Sequence, residues 1–276
     1  MKITFFGEEG SFSQIAARRR FPKAQMVSGR TASECFEALR LGCADLIVVP
    51  IENASGGMID LTVDEMIRFP KWGAKTAAVR EELLMRIELL LMGRSKLPLK
   101  NIRKIYSHRA AFDHCHTWLQ KHLPKAERVV CASTSVAAQR ALEDPQGAAI
   151  ASIEAARLYR LKIITREVGK NAVNQTKFFV VGKPVASREQ PRLATVFFET
   201  PDKPGALCDV LTVLKNERVN MTRIYSRPIF NRLDEYIFMA ELAVSPGPES
   251  LRKLLGKLKP VTDVLYSVGH YPLVKV

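Results

Sequence analysis

The sequence lacks the features that mark disulfide-bonded, zinc-binding and membrane-spanning proteins. Its five cysteines are odd in number and none form a CxxC pair, so neither a disulfide framework nor a zinc site is indicated. No apolar run is long enough to span a bilayer. The N-terminus MKITFFGEEG has a short apolar patch followed by acids, unlike a secretory signal. We therefore expect a cytoplasmic protein with reduced thiols, no metal and no membrane contact.

Signatures of nucleic-acid and nucleotide binding are missing as well. The sequence has no zinc finger, no aromatic-rich RNA-binding motif and no basic repeat, and residues 7–13 lack Walker or dinucleotide spacing. The net charge is nevertheless +14. Residues 1–191 carry 30 Lys and Arg against 19 Asp and Glu, whereas residues 192–276 carry 12 against 9. A basic first part without nucleic-acid motifs favours a small anionic metabolite as its ligand.

Predicted strands and helices alternate along residues 1–183. Short apolar runs predict strands at Lys2–Phe6, Asp45–Val49, Lys75–Val79, Leu83–Met92, Lys104–Tyr106, Arg128–Cys131, Ala148–Ala151, Lys162–Thr165 and Phe178–Val181. Capping and turn residues between them predict helices ending near Arg20, Leu41, Arg68, His122, Glu143 and Tyr159. The alternation predicts a parallel-rich α/β domain over 1–183.

A second domain is predicted after a linker. Residues 184–191 are polar and proline-containing, which is typical of a linker. Residues 192–276 then give a strand, a helix beginning at Pro204-Gly205, two strands, a helix and a last strand. This βαββαβ order is the ferredoxin-like plan, which by itself implies no function.

Small polar groups recur where the predicted strands of the first domain end. They are Ser11, Ser13, Asn53, Ser107, His108, Ser133, Thr134 and Thr176. Each alone is more often a helix cap than a ligand-binding group. Because open α/β sheets bind ligands beyond the carboxyl ends of their strands, the recurrence at one edge indicates a binding site.

The stretch 171–179 (NAVNQTKFF) has the highest density of such groups. It carries amide, hydroxyl and ammonium donors and no acid, and it leads directly into the predicted strand that begins at Phe178. Such a run can hold a small anion at a strand entrance. It can also be an ordinary junction between a loop and a strand, and the run alone favours that second interpretation.

The order of motifs resembles the prephenate dehydratase family with a C-terminal ACT domain. The similar segments are GEEGSFS at 7–13 (family GPxGTYS), VPIENASGG at 49–57 (VPIENSxxG), SHRAAFDHC at 107–115 (SHPQALxQC), STSVAA at 133–138 (STAxAA), AAIASIEAARLYRL at 148–161, NQTKFF at 174–179 (NxTRF), PGAL at 204–207 (GAL) and YSRP at 225–228 (ESRP). Any one of them is weak evidence, whereas eight in order cover nearly the whole chain.

The resemblance implies an α/β fold with a two-lobed, periplasmic-binding-protein-like catalytic domain and a ferredoxin-like ACT domain. It implies decarboxylating dehydration of prephenate to phenylpyruvate, a step of phenylalanine biosynthesis, without a metal or organic cofactor. Partners implied are the dianionic substrate, L-phenylalanine as effector, and further copies of the chain in a homodimer or homotetramer through ACT domains.

Residue roles follow from the matching positions. The resemblance makes Thr176 the group that hydrogen-bonds the departing hydroxyl, Lys177 a nearby positive charge, and His108 either an acid or a helix-start residue without chemistry. Substrate binding falls to Ser11, Ser13, Asn53, Ser107, Asn174 and Phe178. Effector binding falls to Gly205, Ala206, Leu207, Ser226 and Arg227.

Several departures lie inside the motifs. Lys177 stands where the family has arginine, which keeps the charge and loses the bidentate fork. Ala54 replaces a serine, and Tyr225 replaces the glutamate of ESRP. Two alternatives therefore stay open. One is a drifted relative that decarboxylates prephenate without aromatising it or that prefers arogenate. The other is a non-catalytic amino-acid-sensing protein.

Overall fold

The computed structural model describes residues 1–68, 77–170, 173–184, 190–229, 232 and 234–276. The chain forms two compact units. Unit 1 comprises Met1–Thr62, Leu83–Phe178 and Lys275–Val276, and unit 2 comprises Val63–Glu82 and Phe179–Val274. The domain limits 1–183 and 192–276 stay predictions, and most of the predicted linker lies outside the described residues.

The helices of the described residues fall where capping residues and apolar faces coincide. They are α1 (Phe12–Arg20), α2 (Ala32–Arg40), α3 (Asp60–Arg68), α4 (Arg109–His122), α5 (Thr134–Glu143), α6 (Ile153–Leu158), α7 (Ala206–Asn216) and α8 (Pro248–Leu258). Two single turns of 3₁₀ helix lie at Leu99–Asn101 and Lys259–Val261.

The strands of the described residues form three sheets. They are β1 (Lys2–Phe6), β2 (Gln25–Gly29), β3 (Leu46–Asn53), β4 (Gly57–Met58), β5 (Ala78–Arg86), β6 (Leu90–Gly93), β7 (Lys104–Ser107), β8 (Glu127–Val130), β9 (Gly147–Ala151), β10 (Lys162–Thr165), β11 (Gln175–Gly182), β12 (Leu193–Glu199), β13 (Asn220–Pro228), β14 (Tyr236–Ala243), β15 (Val264–Tyr271) and β16 (Leu273–Lys275).

The first sheet has the order β16-β5-β11-β3-β1-β2, with β4 paired to β3. β1 runs parallel to both β2 and β3. The apolar run Leu46–Val49 is at most 1% exposed, as expected for a strand that is covered on both faces. β3 thereby carries Asn53, its last residue, to a fixed place at the end of a central strand.

The second sheet has the order β10-β6-β9-β7-β8. β7 is parallel to β8 and β9, and β6 is antiparallel to β9 and β10. Its core is rich in alanine: Ala137, Ala138 and Ala141 of α5 are buried in one cluster with Ala149 and Ala151 of β9. Small side chains at these positions let α5 lie close to the sheet.

Serine and threonine side chains begin several helices of unit 1. Ser11, Thr31, Ser133 and Ser152 each accept a hydrogen bond from the backbone N–H three residues later, at 3.4, 3.1, 3.1 and 3.0 Å. A cap of this type contributes about 1 kcal/mol to helix stability. The same bonds fix the loops that precede these helices.

The third sheet lies in unit 2 and has the order β13-β14-β12-β15. Its neighbours pair antiparallel, and the order is that of the ferredoxin-like plan. α7 and α8 bury Val210, Leu214, Leu254 and Leu258 in one apolar cluster with the sheet. The predicted fold class is confirmed for both parts of the chain.

The structure differs from the sequence predictions in several strands. The run predicted as one strand over Leu83–Met92 is divided into β5 and β6, and the backbone N–H of Ile87 between them donates to Asn174 O at 2.8 Å. The strand predicted to stop at Val49 continues to Asn53, because Glu52 and Asn53 pair with β4. β2 and β16 were not predicted, and the first residues of the predicted strand Lys75–Val79 lie outside the described residues.

Candidate active site

The amide of Asn53 lies at the centre of a hydrogen-bonded cluster in unit 1. Its Nδ2 donates to Thr176 Oγ1 at 2.8 Å and to Asn174 Oδ1 at 3.1 Å. Its Oδ1 accepts from the backbone N–H groups of Ser55 and Gly56, at 2.9 Å each. Both amide hydrogens and both oxygen lone pairs are therefore used, and exchanging O and N would place donor against donor. The cluster holds one orientation of the amide.

Thr176 is the second residue of β11, so the polar run ends inside the strand rather than before it. Its side chain is 7% exposed, and that of Asn174 is 4% exposed. The bond from Asn53 uses a lone pair of Thr176 Oγ1, which leaves the hydroxyl hydrogen to be donated to another acceptor. Asn171 and Ala172 of the same stretch lie outside the described residues.

The serine after this amide makes a contact that the sequence did not predict. Ser55 Oγ lies 3.0 Å from His114 Nδ1 of α4, and His114 Nε2 lies 3.1 Å from the backbone carbonyl of Gly169. Ser55 is exposed and His114 is half-buried. Within the motif 107–115, the sequence indicated Ser107 and His108 as site residues. The contact to Ser55 is instead made by His114, further along the same helix.

The loop between β1 and α1 is held by backbone geometry and close packing. Gly10 has φ +81°, and a Cβ at this position would lie 3.2 Å from the Cα of Ala155. Ser152 Oγ donates to Gly10 O at 2.8 Å, and Gly10 N donates to Gln14 Oε1 at 2.7 Å. Ser11 is 9% exposed and caps α1. The loop is therefore anchored to both α1 and the start of α6.

Glu8 in this loop is held by the cap of α5. Ser133 Oγ donates to Glu8 Oε2 at 2.9 Å and accepts from Val136 N at 3.1 Å. The carboxylate therefore lies beside the positive end of a ten-residue helix, where a negative charge is stabilised. An acid in the position where the family motif has proline thus has a structural role of its own.

Three of the predicted substrate contacts have side chains that are fully or almost fully buried. Ser107 is 0% exposed, and its hydroxyl donates to Ile150 O at 2.7 Å, which ties β7 to β9. Phe178 is 1% exposed and belongs to the core. Ser13 is 4% exposed within the first turn of α1. Substrate contact by these three residues stays a prediction.

Two predicted catalytic residues are placed differently from Thr176. Lys177 follows Thr176 in β11, and successive strand residues point to opposite faces, so the ammonium is not on the face of the threonine. His108 caps α4, with Nδ1 accepting from Ala110 N at 3.3 Å. Desolvation by neighbouring atoms lowers the pKa of His108, and Asp113 partly offsets this. The side chain of His108 therefore serves as the N-cap of α4.

The buried thiols do not offer a nucleophile. Burial raises the pKa of Cys35 to about 12 and that of Cys115 to about 12. A thiol with such a pKa stays protonated at neutral pH and is a weak nucleophile. In the described part of the chain, no group of three or more His, Cys, Asp or Glu side chains is arranged to hold a metal ion. Among the same residues, no helix is long and apolar enough to cross a membrane.

The predicted effector residues all lie in unit 2, where α7 contacts β13. Gly205, with φ +82°, precedes α7, Ala206 is buried and Leu207 is half-buried. Ser226 is exposed on β13. Arg227 is engaged by α3: its Nε donates to Asp64 Oδ1 at 2.6 Å and its Nη2 to Asp64 Oδ2 at 2.8 Å. A carboxylate of the chain therefore already occupies the guanidinium fork.

Unit 2 also contains a buried charged cluster. Arg223 is 8% exposed, with Nη2 2.8 Å from Glu82 Oε1 and Nη1 3.3 Å from Glu241 Oε2. Both glutamates are 0% exposed. Tyr271, hydrogen-bonded to Thr195, lies beside this cluster, and burial together with the two carboxylates raises its pKa well above the usual value. We call Arg223, Glu82 and Glu241 the buried ionic triad.

Two family models match the chain. The model described as prephenate dehydratase matches residues 3–186, and the model described as ACT domain matches residues 194–260. The first of them alone covers more than half of the chain and contains every residue of the Asn53 cluster.

Similar proteins agree with the family models. Prephenate dehydratase from Lactococcus lactis subsp. cremoris is 33% identical over 248 residues, covering 88% of this chain and 86% of the relative. The structure of prephenate dehydratase in complex with L-Phe from Arthrobacter aurescens has a TM-score of 0.85 and 28% identity, over 99% of this chain and 90% of that one. That of GqqA, described as a novel type of quorum-quenching acylase, has a TM-score of 0.83 and 26% identity, over 99% and 98%. The chain belongs to the prephenate dehydratase family and carries an ACT domain at its C-terminal end.

Proposed function

We propose that this protein binds prephenate at the Asn53 cluster and converts it to phenylpyruvate, with Thr176 polarising the departing hydroxyl. Prephenate is a dianion. It loses one carboxylate as carbon dioxide, and the freed electron pair aromatises the ring and expels the hydroxyl, which takes up one proton and leaves as water. Aromatisation drives the reaction, so the protein has to hold the substrate and assist the leaving group.

The observation that carries the proposal is the 2.8 Å hydrogen bond from Asn53 Nδ2 to Thr176 Oγ1. It fixes the threonine oxygen as an acceptor and directs the hydroxyl hydrogen towards a second acceptor. A hydrogen-bond donor that is already oriented stabilises a developing negative charge on the leaving oxygen without reorganisation. The positive charge of residues 1–191 favours arrival of the dianion.

Replacing Thr176 by Ala tests this assignment. We expect a folded protein whose turnover is lower by at least about 100-fold, because one oriented donor contributes about 3 kcal/mol to the transition state. Turnover is measured from the absorbance of phenylpyruvate in alkali. Thr117→Ala, on the exposed face of α4, is the matched control and should keep wild-type turnover. Wild-type turnover in Thr176→Ala would remove the threonine from the mechanism.

The same assay separates the two alternatives that the motif departures leave open. Consumption of prephenate without phenylpyruvate would indicate decarboxylation alone. No consumption, together with a thermal shift on adding L-phenylalanine, would indicate a sensing protein. Ala54 and Lys177 are the reason to test these alternatives, because the two residues remove a hydroxyl and a bidentate cation from the family pattern.

We also propose that unit 2 binds an amino-acid effector and joins copies of the chain. The related structure from Arthrobacter aurescens contains L-Phe. In this chain Gly205, Ala206, Leu207, Ser226 and Arg227 are the proposed contacts. β13 is the edge strand of its sheet, so its outer backbone groups can pair with a second copy in a homodimer or homotetramer.

Acyl hydrolysis is the second candidate function, because of the similarity to GqqA. The contact between Ser55 Oγ and His114 Nδ1 favours it, since a hydroxyl beside an imidazole is the arrangement of a serine nucleophile. The N–H groups of Ser55 and Gly56 nevertheless donate to Asn53 Oδ1 and cannot also bind an oxyanion. If the protein hydrolyses p-nitrophenyl butyrate and Ser55→Ala abolishes that activity, acyl hydrolysis becomes the favoured function.

A further inference from the structure

We infer that a cavity between α1 and α6 binds a small aliphatic zwitterion of the α-amino-acid type, at a site separate from the Asn53 cluster. The inference does not rest on the proposed function. The cavity lies within unit 1, has a volume of about 290 Å³ and shares no residue with that cluster. Its size is at the lower end of the range for small-molecule sites, which is roughly 300–1,000 Å³. The volume therefore limits the ligand to a small metabolite.

Two contacts fix the walls of this cavity. Ser152 Oγ, at the start of α6, donates to Gly10 O at 2.8 Å. The loop that contains Gly10 lies so close to α6 that a Cβ at this position would be 3.2 Å from the Cα of Ala155. The entrance to α1 and the first turn of α6 are therefore held together. A preformed cavity of this kind lowers the ordering cost of binding.

Gln14 supplies a hydrogen-bond donor in the wall of the cavity. Its side chain lines the cavity and is only 8% exposed. Gly10 N donates to Gln14 Oε1 at 2.7 Å, and because a backbone N–H can only donate, this bond identifies the oxygen end of the amide. The other end, Nε2, has no partner among the residues that the structure describes. A buried amide without a partner is costly, so its hydrogens favour an acceptor that a ligand brings.

Arg18 lies one helical turn after Gln14 on α1 and lines the same cavity. Residues four apart share a helix face, with about 5–6 Å between their Cβ atoms. The guanidinium of Arg18 makes no hydrogen bond or ion pair with any described residue, whereas Nη1 of the adjacent Arg19 donates to Val276 O at 3.4 Å. A carboxylate can therefore accept from Gln14 Nε2 through one oxygen and from Arg18 through the other.

Glu154 supplies a negative charge on the α6 side of the cavity. Its side chain is half-buried and pairs with no cation in the described part of the chain. An ammonium group is a suitable partner for such a carboxylate. The lining as a whole contains two arginines and two glutamates, so its formal charges cancel. A dianion such as prephenate would meet two carboxylates here, whereas a zwitterion meets one complementary group for each of its charges.

Two further residues of the lining are aliphatic. Ile15 of α1 is 6% exposed, and Leu158, one turn after Glu154 on α6, is 45% exposed. Among the described residues, no aromatic side chain lines the cavity. A short branched side chain of a ligand would cover part of Leu158, and burial of apolar surface favours binding. L-Valine combines such a side chain with the carboxylate and the ammonium group.

L-Valine is therefore the probe, and two analogues each lack one of its charges. Isothermal titration calorimetry with the full chain compares L-valine with 3-methylbutanoate, which has no ammonium group, and with 2-methylpropylamine, which has no carboxylate. We expect L-valine to bind and each analogue to bind at least about tenfold more weakly, because each loses hydrogen bonds to a charged group. Equal affinity of either analogue would overturn the zwitterion as the ligand class. Absence of L-valine binding at millimolar concentration would overturn the site.

Substitutions locate the bound probe. Arg18→Met and Glu154→Gln each remove one charge, and each should lower the affinity for L-valine at least about tenfold while thermal unfolding stays unchanged. Arg157→Met and Glu143→Gln, which are exposed and outside the lining, are the matched controls and should bind like wild type. If Arg18→Met and Glu154→Gln bind L-valine as tightly as wild type, the probe is held elsewhere, such as at the effector site proposed for unit 2, and the inference is overturned.

Discussion

The two polar clusters of the molecule are built from different groups. The Asn53 cluster of unit 1 joins amides and hydroxyls, and it includes no charged side chain among Asn53, Thr176 and Asn174. The buried ionic triad of unit 2 joins one guanidinium to two carboxylates that are 0% exposed. The first cluster leaves a hydroxyl hydrogen for a ligand, whereas the second uses its charges on one another.

The difference indicates a division of labour. A neutral network next to a dianionic substrate avoids fixed repulsion and presents donors that are already oriented. Burying an ion cluster costs a large desolvation free energy. Removing one member of the cluster therefore lowers the stability of the fold severely, even where the intact cluster adds little to that stability. We therefore expect substitutions in unit 1 to change the rate more than the stability, and substitutions in the triad to do the reverse.

The largest effect on stability is expected for Arg223→Met. Methionine fills similar volume but leaves Glu82 and Glu241 without their guanidinium, which costs about 3–5 kcal/mol. Urea unfolding of the full chain, followed by circular dichroism, measures the loss. The control is Arg252→Met, whose partner Glu249 is 2.7 Å away on the surface with both side chains largely exposed. The control should lose at most about 0.5 kcal/mol.

Neutralising the carboxylates tests the reason for that loss. In Arg223→Met combined with Glu82→Gln and Glu241→Gln, no buried charge is left unpaired, and we expect much of the stability to return. A triple variant as unstable as Arg223→Met would show that packing, and not charge, dominates in this part of unit 2. The contrast between the clusters would then lose its electrostatic basis.

The next effect, on rate, is expected for Asn53→Asp. The new carboxylate still accepts from the N–H groups of Ser55 and Gly56, so the turn is kept. Its second oxygen now draws the Thr176 hydrogen to itself and adds a negative charge near the dianion. We expect kcat to fall by about 100-fold and KM to rise. Steady-state kinetics with prephenate measure both quantities. Asn101→Asp in the exposed 3₁₀ turn is the control. A wild-type kcat in Asn53→Asp would contradict the role of the amide.

A smaller effect is expected for Asp64→Ala in unit 2. The pair with Arg227 is about a third exposed, so its loss costs only about 0.5–1 kcal/mol. Removing the internal carboxylate should let the carboxylate of an effector reach Arg227, which we expect to enlarge the thermal shift produced by L-phenylalanine. Asp263→Ala, exposed in the same unit, is the control. A shift equal to that of wild type would separate Asp64 from effector binding.

The smallest effect concerns pH. Burial lowers the pKa of His270, and hydrogen bonds involving the backbone of Val244 and Pro191 partly offset this. Above the ordinary value of 6.5 the ring is neutral in both states, and its contribution to stability is complete. As pH falls below 6.5 the unfolded chain binds the proton first, so stability declines until the folded pKa is passed. Urea unfolding between pH 8 and 5 should show a shallower decline in His270→Gln; an unchanged slope would contradict the assignment.

Much of the fold could be predicted because its determinants are local. The apolar runs at Lys2–Phe6 and Lys162–Thr165 coincide with β1 and β10. The caps at Thr31 and Ser133 begin the expected helices. β2 escaped prediction because Gln25–Gly29 (QMVSG) is an edge strand with an irregular polar pattern. Edge strands lack the continuous apolar signal of strands covered on both faces.

The site was predictable as a set of residues and not as a set of contacts. Asn53 and Thr176 were both expected to be site residues, but 123 positions separate them, and only the fold shows that one bonds to the other. Ser107 looked identical to a ligand-binding serine until burial showed its hydroxyl inside the sheet. Ser55 and His114 carry no local signal, because a serine in a glycine-rich turn and a histidine on a helix are ordinary.

Gly10 in the first domain is a position at which we expect substitutions to disrupt the local structure. Its φ of +81° disfavours every residue with a side chain, and the backbone of Ala155 lies 3.2 Å from where a Cβ would be placed. The two constraints are independent, so a compensating change at one cannot relieve the other. In a population under selection, we expect variants at this codon to be removed, and a deep mutational scan should show glycine alone surviving there while the exposed Glu9 beside it accepts many residues.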